Sequence, residues 1–312
     1  MSNETLDYIS SLDTKNKNDK YLILNSPSWI KTKDATLKHL KQRTEVFWSE
    51  IEKISNKNLS IPEVKSVSEE KNKFIFVIPF YNCSAWIQKC IKSVKRQKYK
   101  NFKCFLIDDM STDGSSDVVK KIIQNDSRFK LIMNKEKKYA LGNIAYILNE
   151  KDIKKDDVII LMDGDDWLSS AGVLSRLNDE YVKDVFMTYG SYVYSPIGRK
   201  GSEPSKYPDD IIKNNLFRRD SWRASHLRTF KYHLWKKLNQ EDLKENAQYF
   251  EMTYDQAIML PLLEMSSERS RYIPEVLYVY NKQNPLNVDK IKAKKQSDLA
   301  EKIRNKKPYQ RV

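Results

Sequence analysis

Residues 73–80 read KFIFVIPF, a continuous apolar run that is rich in β-branched and aromatic side chains. Such a run is typical of a strand that is buried on both faces of a sheet. Three similar runs follow along the chain, at 102–109 (FKCFLIDD), 129–133 (FKLIM) and 157–162 (DVIILM). These four stretches predict the strands at the centre of the fold.

The segments between the predicted strands have the apolar spacing of amphipathic helices. We expect one helix to follow Ser84, which can cap it, and two more over 115–124 and 140–149. Strands that alternate with helices predict an α/β fold with a mainly parallel, Rossmann-like sheet flanked by helices. Further upstream, apolar residues at near-helical spacing over 34–56 predict a helix in an N-terminal extension.

Acidic side chains follow two of the predicted strands at the point where each strand ends. Asp108 and Asp109 end the second strand, and Asp163, Asp165 and Asp166 follow the fourth. Ligands bind beyond the carboxyl ends of such strands, so these carboxylates are expected to converge on one crevice. Converging carboxylates repel each other unless a cation lies between them, and oxygen ligands favour Mg²⁺ or Mn²⁺. The alternative is that Asp108 and Asp109 only form turns, since turn-forming residues surround them.

The composition limits the class of protein. The 312 residues are 40% hydrophobic and 11% aromatic, which is enough to fill a core. No apolar run is as long as a membrane span, so we expect no transmembrane segment and a soluble, cytoplasmic protein. Cys83, Cys90 and Cys104 lack metal-ligand spacing and are interpreted as buried free thiols. A net charge of +14 favours anionic partners, such as nucleotide diphosphates or nucleic acid.

Two motifs resemble those of a known family. The stretch VIPFYNCSAWIQKCIKSVKRQKYKNFKCFLIDDMSTDGSSDVV (77–119) is similar to the opening of family 2 glycosyltransferases of the GT-A fold. In that family a strand ends in Pro-x-Tyr-Asn, and Asp-Asp-x-Ser-Thr-Asp-Gly follows a helix. LMDGDDWL (161–168) resembles the family's Asp-x-Asp (DXD) motif. The resemblance covers about 73–190 well and continues more loosely to about 285.

The resemblance implies an enzyme that moves a sugar from a nucleotide-sugar donor to an acceptor hydroxyl. We expect a UDP-sugar, a hexosyltransferase that inverts by single displacement, and Mn²⁺ or Mg²⁺ as the cofactor. The implied donor-binding residues are Pro79, Tyr81, Asp109, Asn143, Asp163 and Asp165. Pro79 and Tyr81 would border the nucleoside pocket, and Asp109 would hydrogen-bond the base. The metal ligands would be Asp165 and Asp166.

The family's catalytic base lies in a Glu-Asp pair that opens a helix beyond the metal motif. The matching position here is Asp255 in FEMTYDQAIMLPLLEM, where Tyr254 replaces the usual Glu. Glu251 is a rival for the same role. The alternative is that Asp255 only stabilises the first turn of a helix through the helix dipole.

Two basic segments are candidates for contacts with anions. Residues 213–237 interleave cations with aromatic side chains, and we expect His226 and Arg228 to contact the acceptor or a phosphate. Gly142 stands where the family often has an arginine, so no arginine at that position can contact a phosphate. The basic tail over 286–312 is a second candidate for contact with a polyanionic acceptor, either nucleic acid or an acidic glycan.

The predicted organisation has four parts. They are an N-terminal extension (1–72), a nucleotide-sugar-binding half (73–190), an acceptor-binding half with the base (191–285) and a basic tail (286–312). A nucleotidyltransferase would have a Gly-rich loop after the first strand, where this sequence has PFYNCSAW. A processive synthase would have membrane spans and a Gln-x-x-Arg-Trp motif, and the sequence has neither. Two alternatives remain open: a glycosyltransferase that acts on hydroxymethylated DNA, or a nucleic-acid-binding protein on a GT-A scaffold.

Overall fold

A computed structural model describes residues 69–285 and 293–312. The predicted helix over 34–56 lies outside the described residues. The strands are β1 (Phe74–Phe80), β2 (Phe102–Asp108), β3 (Phe129–Met133), β4 (Val158–Leu161), β5 (Trp167–Leu168), β6 (Met187–Ser195), β7 (Arg228–Lys231), β8 (Lys244–Glu245), β9 (Gln248–Tyr249) and β10 (Ser270–Asn281). The α-helices are α1 (Ile87–Lys95), α2 (Ser115–Ile123), α3 (Tyr139–Glu150), α4 (Val173–Tyr181), α5 (Asp209–Lys213), α6 (Tyr232–Lys237), α7 (Tyr254–Ser266) and α8 (Ala293–Arg304).

The main sheet has eight strands in the spatial order β3-β2-β1-β4-β7-β6-β10-β5. The first half is parallel, because β1 pairs in parallel with both β2 and β4, and β2 pairs in parallel with β3. The strand β7 runs antiparallel to β4 and β6 and joins this half to the parallel pair β6 and β10. The predicted α/β fold with a mainly parallel sheet is confirmed.

Two layers of helices cover the sheet, and the side chains of β1 alternate between them. Ile75 and Val77 pack into a core shared with α3, α6 and α7. Phe74, Phe76 and Ile78 pack into a second core shared with α1, α2 and α4. The period of two residues in a strand explains why the whole run is apolar: both faces of β1 are buried.

The four predicted strands and the three predicted helices between them have boundaries close to those of the sequence pattern, whereas β5 to β10 had not been predicted; two differences concern the predicted part. The helix after the first strand begins at Ile87, with Trp86 at the N-cap position, so the prediction that Ser84 caps it is wrong. The backbone N–H of Ser84 instead donates to Asp113 Oδ2 (2.8 Å), which ties the loop after β1 to the loop after β2. The predicted division between 190 and 191 falls within β6, so the two halves share one sheet.

The C-terminal residues pack against the second half of the domain. Leu299 and Ile303 of α8 are buried in the core that contains α7. The backbone N–H of Tyr309 donates to Glu264 Oε2 (2.9 Å), and Arg218 Nη1 donates to the carbonyl of Ile303 (2.6 Å). These contacts tie residues 293–312 to the domain, although their composition is basic.

Candidate active site

A crevice of about 360 Å³ lies at the carboxyl ends of β1, β2 and β4, beside the first turn of α7. The predicted site residues that line it are Pro79, Tyr81, Asp109, Asp163, Asp165, Asp166, His226, Arg228 and Asp255. Asn143 was also predicted to bind the donor, but it is fully buried in α3 and does not line the crevice. The fold therefore brings together side chains that are up to 176 residues apart in the chain.

Asp109, directly after β2, holds the start of α3. Its carboxylate accepts the backbone N–H groups of Lys138 (2.8 Å) and Tyr139 (3.0 Å) and the side-chain amide of Asn134 (2.9 Å). The same Asn134 amide donates to Asn143 Oδ1 (2.7 Å), so Asn143, which is buried in α3, helps to hold the Asn134 side chain in place. Burial alone would raise the pKa of Asp109, but the Lys138 N–H and the Asn143 and Asn134 amides hold it below its ordinary value.

A cation and an aromatic ring stand beside Asp109 at the outer edge of the crevice. The ring of Tyr81 is 43% exposed, and Lys137 Nζ lies 2.9 Å from its centre. Lys137 Nζ also lies 3.5 Å from Asp109 Oδ2. A flat aromatic face next to a carboxylate and an ammonium group can stack on a heterocyclic base and pair with its polar edge. Nothing in the sequence pattern singled out Lys137, since lysines are common throughout the chain.

The acidic motif after β4 is held in place by side chains from distant elements. Tyr254 Oη donates to Asp163 Oδ1 (2.6 Å), which links the start of α7 to this motif. Asn284 Nδ2 donates to Asp165 Oδ2 (2.7 Å). Burial raises the pKa of Asp163 above its ordinary value, although Arg228 and the Tyr254 hydroxyl act in the opposite direction. These partners come from positions that sequence reasoning had not assigned to the motif.

Asp166 is the most deeply buried carboxylate of the motif. It is 1% exposed and accepts hydrogen bonds from Tyr278 Oη (2.7 Å) and from the backbone N–H of Asn281 (2.7 Å), both in β10. Burial and then the neighbouring Asp165 and Asp163 carboxylates raise its pKa well above the ordinary value. A bound cation would relieve this repulsion and let the group ionise.

Among the described residues, one group has the geometry to share a metal ion. One ligand atom each from Asp163, Asp166 and His226 lies within 4.8 Å of the others. Carboxylate oxygens combined with one imidazole suit Mn²⁺, and the carboxylates also suit Mg²⁺, so these residues fit a divalent cation. Asp165, predicted as a ligand together with Asp166, lines the same crevice but is not part of this group. Sequence reasoning missed His226 as a ligand because it precedes β7 rather than following β4.

His226 is a neutral, firmly held imidazole. Its ring stacks on Tyr278, with the ring centres 4.5 Å apart, and Arg228 Nη2 lies 2.7 Å from Nε2 and 2.9 Å from Nδ1. Burial and the adjacent Arg228 guanidinium hold the pKa of His226 well below its ordinary value. The ring therefore carries no charge at neutral pH, which suits a metal ligand better than a cationic phosphate contact.

Arg228 is a buried cation with unused hydrogen-bond donors. The side chain is 4% exposed and lines the crevice, but its Nε and Nη1 groups have no hydrogen-bond partner in the described residues. Its guanidinium lies over the ring of Tyr254, 5.3 Å from the ring centre. Burial would lower its pKa, but Tyr254, Asp255 and Asp163 raise it, so the group stays charged. Buried donors without partners are rare, and here they point to an anionic ligand in the crevice.

Asp255 and Glu251 occupy different surroundings at the start of α7. Asp255 is in the first turn of α7, as expected, and its carboxylate has no hydrogen-bond or ion-pair partner within 69–285 and 293–312. Glu251 also lines the crevice, but it forms an ion pair with Lys295 of α8 (2.8 Å). An unpaired carboxylate can accept a proton without first breaking an ion pair, so the geometry favours Asp255 over Glu251 as a base.

The cations of the basic segment 213–237 divide between the interior of the fold and its surface. Arg218 is 7% exposed and donates from Nε and Nη2 to Glu264 (2.6 and 2.9 Å). Arg223 pairs with Asp220 (2.7 Å), and Arg228 is buried in the crevice. Lys213, Arg219, Lys236 and Lys237 are exposed, so contact of this segment with a polyanionic acceptor stays a prediction, carried by fewer cations than its composition suggests.

The sequence was also compared with known protein families. The profile described as glycosyl transferase family 2 matches residues 75–246. The chain belongs to this family. The GT-A-like sheet and the acidic crevice agree with this membership, as the resemblance implied.

Two curated relatives illustrate the range of similarity. The uncharacterised glycosyltransferase EpsJ of Bacillus subtilis is 25% identical over 234 residues, which is 71% of this chain and 64% of that protein. The UDP-Glc:alpha-D-GlcNAc-diphosphoundecaprenol beta-1,3-glucosyltransferase WfaP of Escherichia coli is 32% identical over 116 residues, which is 37% of this chain and 44% of that protein. The chain thus spans between about half and two thirds of the length of these relatives.

A solved structure has the same fold. TarS of Staphylococcus aureus, crystallised with UDP-GlcNAc, superposes with a TM-score of 0.51 over 68% of this chain and 59% of that chain, at 15% identity. The corresponding complex with UDP gives a TM-score of 0.52 at 16% identity. In the ranges that the structure describes, every helix is too short or too polar to cross a lipid bilayer.

Proposed function

We propose that this glycosyltransferase moves a hexose from a UDP-sugar to an acceptor hydroxyl, with inversion by a single displacement. The observation that carries the proposal is the crevice itself, in which a candidate metal group, a buried cation with unused donors and an unpaired carboxylate meet. The choice of UDP rests on the UDP complexes of TarS and on the UDP-Glc donor in the name of WfaP.

The donor would lie along the crevice with its base at the outer edge. Tyr81 and Pro79 border the space for the base, with Asp109 and Lys137 beside them. The diphosphate would accept hydrogen bonds from the free N–H groups of Arg228, which would supply the cation that is missing at Gly142. This placement explains why a buried guanidinium is retained although its Nε and Nη1 groups have no partner among the described residues.

The carboxylates after β4 would hold the divalent cation. We propose Asp165 and Asp166 as ligands, together with Asp163 and His226, because the crevice contains all four. Mn²⁺ or Mg²⁺, when bound, neutralises the negative charge that builds on the departing diphosphate. Tyr254 and Asn284 would orient the carboxylates of Asp163 and Asp165 in the crevice.

Asp255 would act as the general base. As the acceptor oxygen forms a bond to the anomeric carbon, its proton moves to the Asp255 carboxylate. The bond between that carbon and the diphosphate oxygen breaks at the same time, and the nucleoside diphosphate leaves with the electron pair. Attack from the side opposite the diphosphate inverts the anomeric configuration.

A donor screen tests this proposal. Hydrolysis of UDP-, GDP- and dTDP-sugars is measured with Mn²⁺, with Mg²⁺ and in excess EDTA. We expect UDP release from a UDP-sugar that stops in EDTA. Turnover that persists in EDTA would refute the metal, and preference for another nucleotide would refute the UDP donor. No turnover and no calorimetric binding of any nucleotide-sugar would refute the proposal as a whole.

A further inference from the structure

A second cavity of about 610 Å³ adjoins the crevice between α3 and the β8–β9 hairpin. Its walls include Tyr139, Tyr146 and Tyr249, with the side-chain amides of Asn149 and Gln248 among them. We call this cavity the tyrosine groove. Its volume falls within the usual range of small-molecule sites, and its lining combines aromatic surface with a few polar groups, as such sites do.

The tyrosine groove lies beside the crevice, and the two cavities share part of their lining. Lys137, Tyr139 and Glu251 line both cavities. One stretch of chain also runs from the groove to the proposed base, since Tyr249 lines the groove, Glu251 lines both cavities and Asp255 lines the crevice. A molecule in the groove can therefore extend one end towards Asp255 along this stretch.

The lining of the groove suits a saccharide. A pyranose presents a flat C–H surface that packs on aromatic rings, and hydroxyls that pair with amides. Tyr139 is 36% exposed, and Tyr146 and Tyr249 are partly exposed, so their rings are accessible to a ligand. Gln248 is exposed beside them and offers a donor and an acceptor. The exposed Asn149 amide donates to Gln240 Oε1 (3.2 Å) and accepts from Trp235 Nε1 (2.9 Å), so its orientation is fixed and it offers a ligand only its second N–H and its second lone pair.

The charges around the groove are balanced, which argues against a polyanionic ligand. Lys138 Nζ lies 3.5 Å from Glu136, and Lys137 Nζ lies 3.5 Å from Asp109. Glu251 is paired with Lys295 at 2.8 Å. A site for nucleic acid or an acidic glycan needs an excess of cations facing the ligand, and this lining does not provide one.

We propose that the tyrosine groove binds the acceptor, and that the acceptor is an uncharged saccharide whose hydroxyl reaches Asp255. This inference rests on the proposed function, because it assigns the acceptor of the same reaction. The groove positions the hydroxyl oxygen, and the crevice holds the anomeric carbon that it attacks. Stacking on the tyrosine rings supplies much of the affinity, and the amides select the orientation.

The test is binding of the full chain to an array of immobilised mono- to tetrasaccharides, neutral and uronic-acid types side by side, with and without UDP. We expect binding to at least one neutral saccharide. Tyr249→Ala should weaken it about 10-fold, since a ring contact is worth roughly 1–1.5 kcal/mol, while Tyr249→Phe, which keeps the ring, should stay within about threefold. Tyr139→Ala, at an exposed side chain, should also weaken binding.

The control is Ile197→Ala, which truncates a side chain that is 74% exposed and lines neither cavity. It should bind as the unmodified chain does. Three results would each overturn the assignment: no saccharide binding, a preference for uronic acids, or binding by Tyr249→Ala and Tyr139→Ala that equals the binding of the unmodified chain. Calorimetric titration of the unmodified chain with UDP-glucose judges the donor separately. Saccharide binding without UDP-glucose binding would refute the proposed donor but not the assignment of the groove. UDP-glucose binding without saccharide binding would refute the assignment of the groove but not the donor.

Discussion

Replacing Arg228 with Met is expected to make the fold more stable and the donor site weaker. The guanidinium is 4% exposed, its Nε and Nη1 groups have no hydrogen-bond partner in the described residues, and no carboxylate lies within ion-pair distance there. Methionine has a similar length and no polar N–H groups. The change therefore removes an unfavourable burial that we attribute to donor binding.

The size of the stability change follows from the contacts of Arg228. Each buried N–H group without a partner costs about 1–3 kcal/mol, so removing two of them should gain roughly 2–6 kcal/mol. Against this, the variant loses the hydrogen bond to His226, worth about 1 kcal/mol. It also loses the contact with the Tyr254 ring, worth roughly 1–2 kcal/mol. These terms sum to between a loss of about 1 kcal/mol and a gain of about 4 kcal/mol, with the centre of the range on the side of a gain, and the longer-range attraction of Asp163 and Asp255 to the guanidinium reduces that gain.

The effect on the donor has the opposite sign. A hydrogen bond to a charged group contributes about 1.5–3 kcal/mol, so losing one such bond to the diphosphate should weaken binding roughly 10- to 150-fold. Stability and affinity are thus expected to change in opposite directions, which a merely structural role for Arg228 would not produce.

Urea denaturation measures the stability, and calorimetric titration with UDP-glucose measures the affinity. The matched control is Arg219→Met, because Arg219 is exposed and neighbours the same segment. It should change neither quantity appreciably. If the free energy of unfolding of the Arg228 variant falls by more than about 2 kcal/mol, the guanidinium has stabilising partners in the fold, and the reasoning is refuted. Unchanged affinity for UDP-glucose would show that Arg228 does not reach the diphosphate.

Three further predictions concern carboxylates. Asp165→Asn should lower Mn²⁺-dependent turnover at least about 100-fold without unfolding the chain, because the amide keeps the shape and removes the charge; a Mn²⁺ titration of UDP release that matches the unmodified chain would contradict this. Asp255→Asn should lower kcat on the order of 100-fold or more while UDP-glucose affinity stays nearly unchanged, and Glu251→Gln should not; the reverse pattern would identify Glu251 as the base. Asp109→Asn should be destabilised at pH 7 by about 1.5–3 kcal/mol. The pKa of Asp109 is lowered in the fold, so its contribution is present above the unfolded value of about 3.9 and is lost as pH falls through the lowered pKa. Urea midpoints of the two proteins should therefore converge as the pH falls below about 4 and through the lowered pKa, and a constant gap would refute the role of the charge.

The metal group shows where sequence reasoning reached its limit. Asp163 and Asp166 are adjacent in the sequence to a buried strand, so their place at the carboxyl edge of the sheet was predictable from the pattern. His226 is 60 residues beyond Asp166, in a segment whose composition suggested a cationic surface. It reaches the group because β7 pairs antiparallel with β4, and no local pattern records which strands become neighbours.

The same limit applies to Arg218 and Arg228, which resemble each other in sequence context. Arg218 is neutralised by Glu264, whereas Arg228 has unused donors in the crevice. The difference depends on Glu264, which lies 46 residues beyond Arg218 and which only the folded chain brings into contact with it. Charge counts along the sequence could not distinguish a structural arginine from a candidate ligand-binding one.

The sequence by itself determined the first four strands and the three helices between them, the acidic edge of the sheet and the family. These features are local. A buried strand needs a continuous apolar run, and the two acidic groups, Asp108 with Asp109 and Asp163 with Asp165 and Asp166, directly follow such runs. Only the tertiary structure decided which side chains support the acidic motif, that Asp255 is unpaired while Glu251 is not, and that a tyrosine groove lies beside the crevice. The support of the acidic motif, for example, comes from contacts of Tyr254 and Tyr278 with residues about 90–115 positions earlier in the chain. Only the folded sheet brings these residues together.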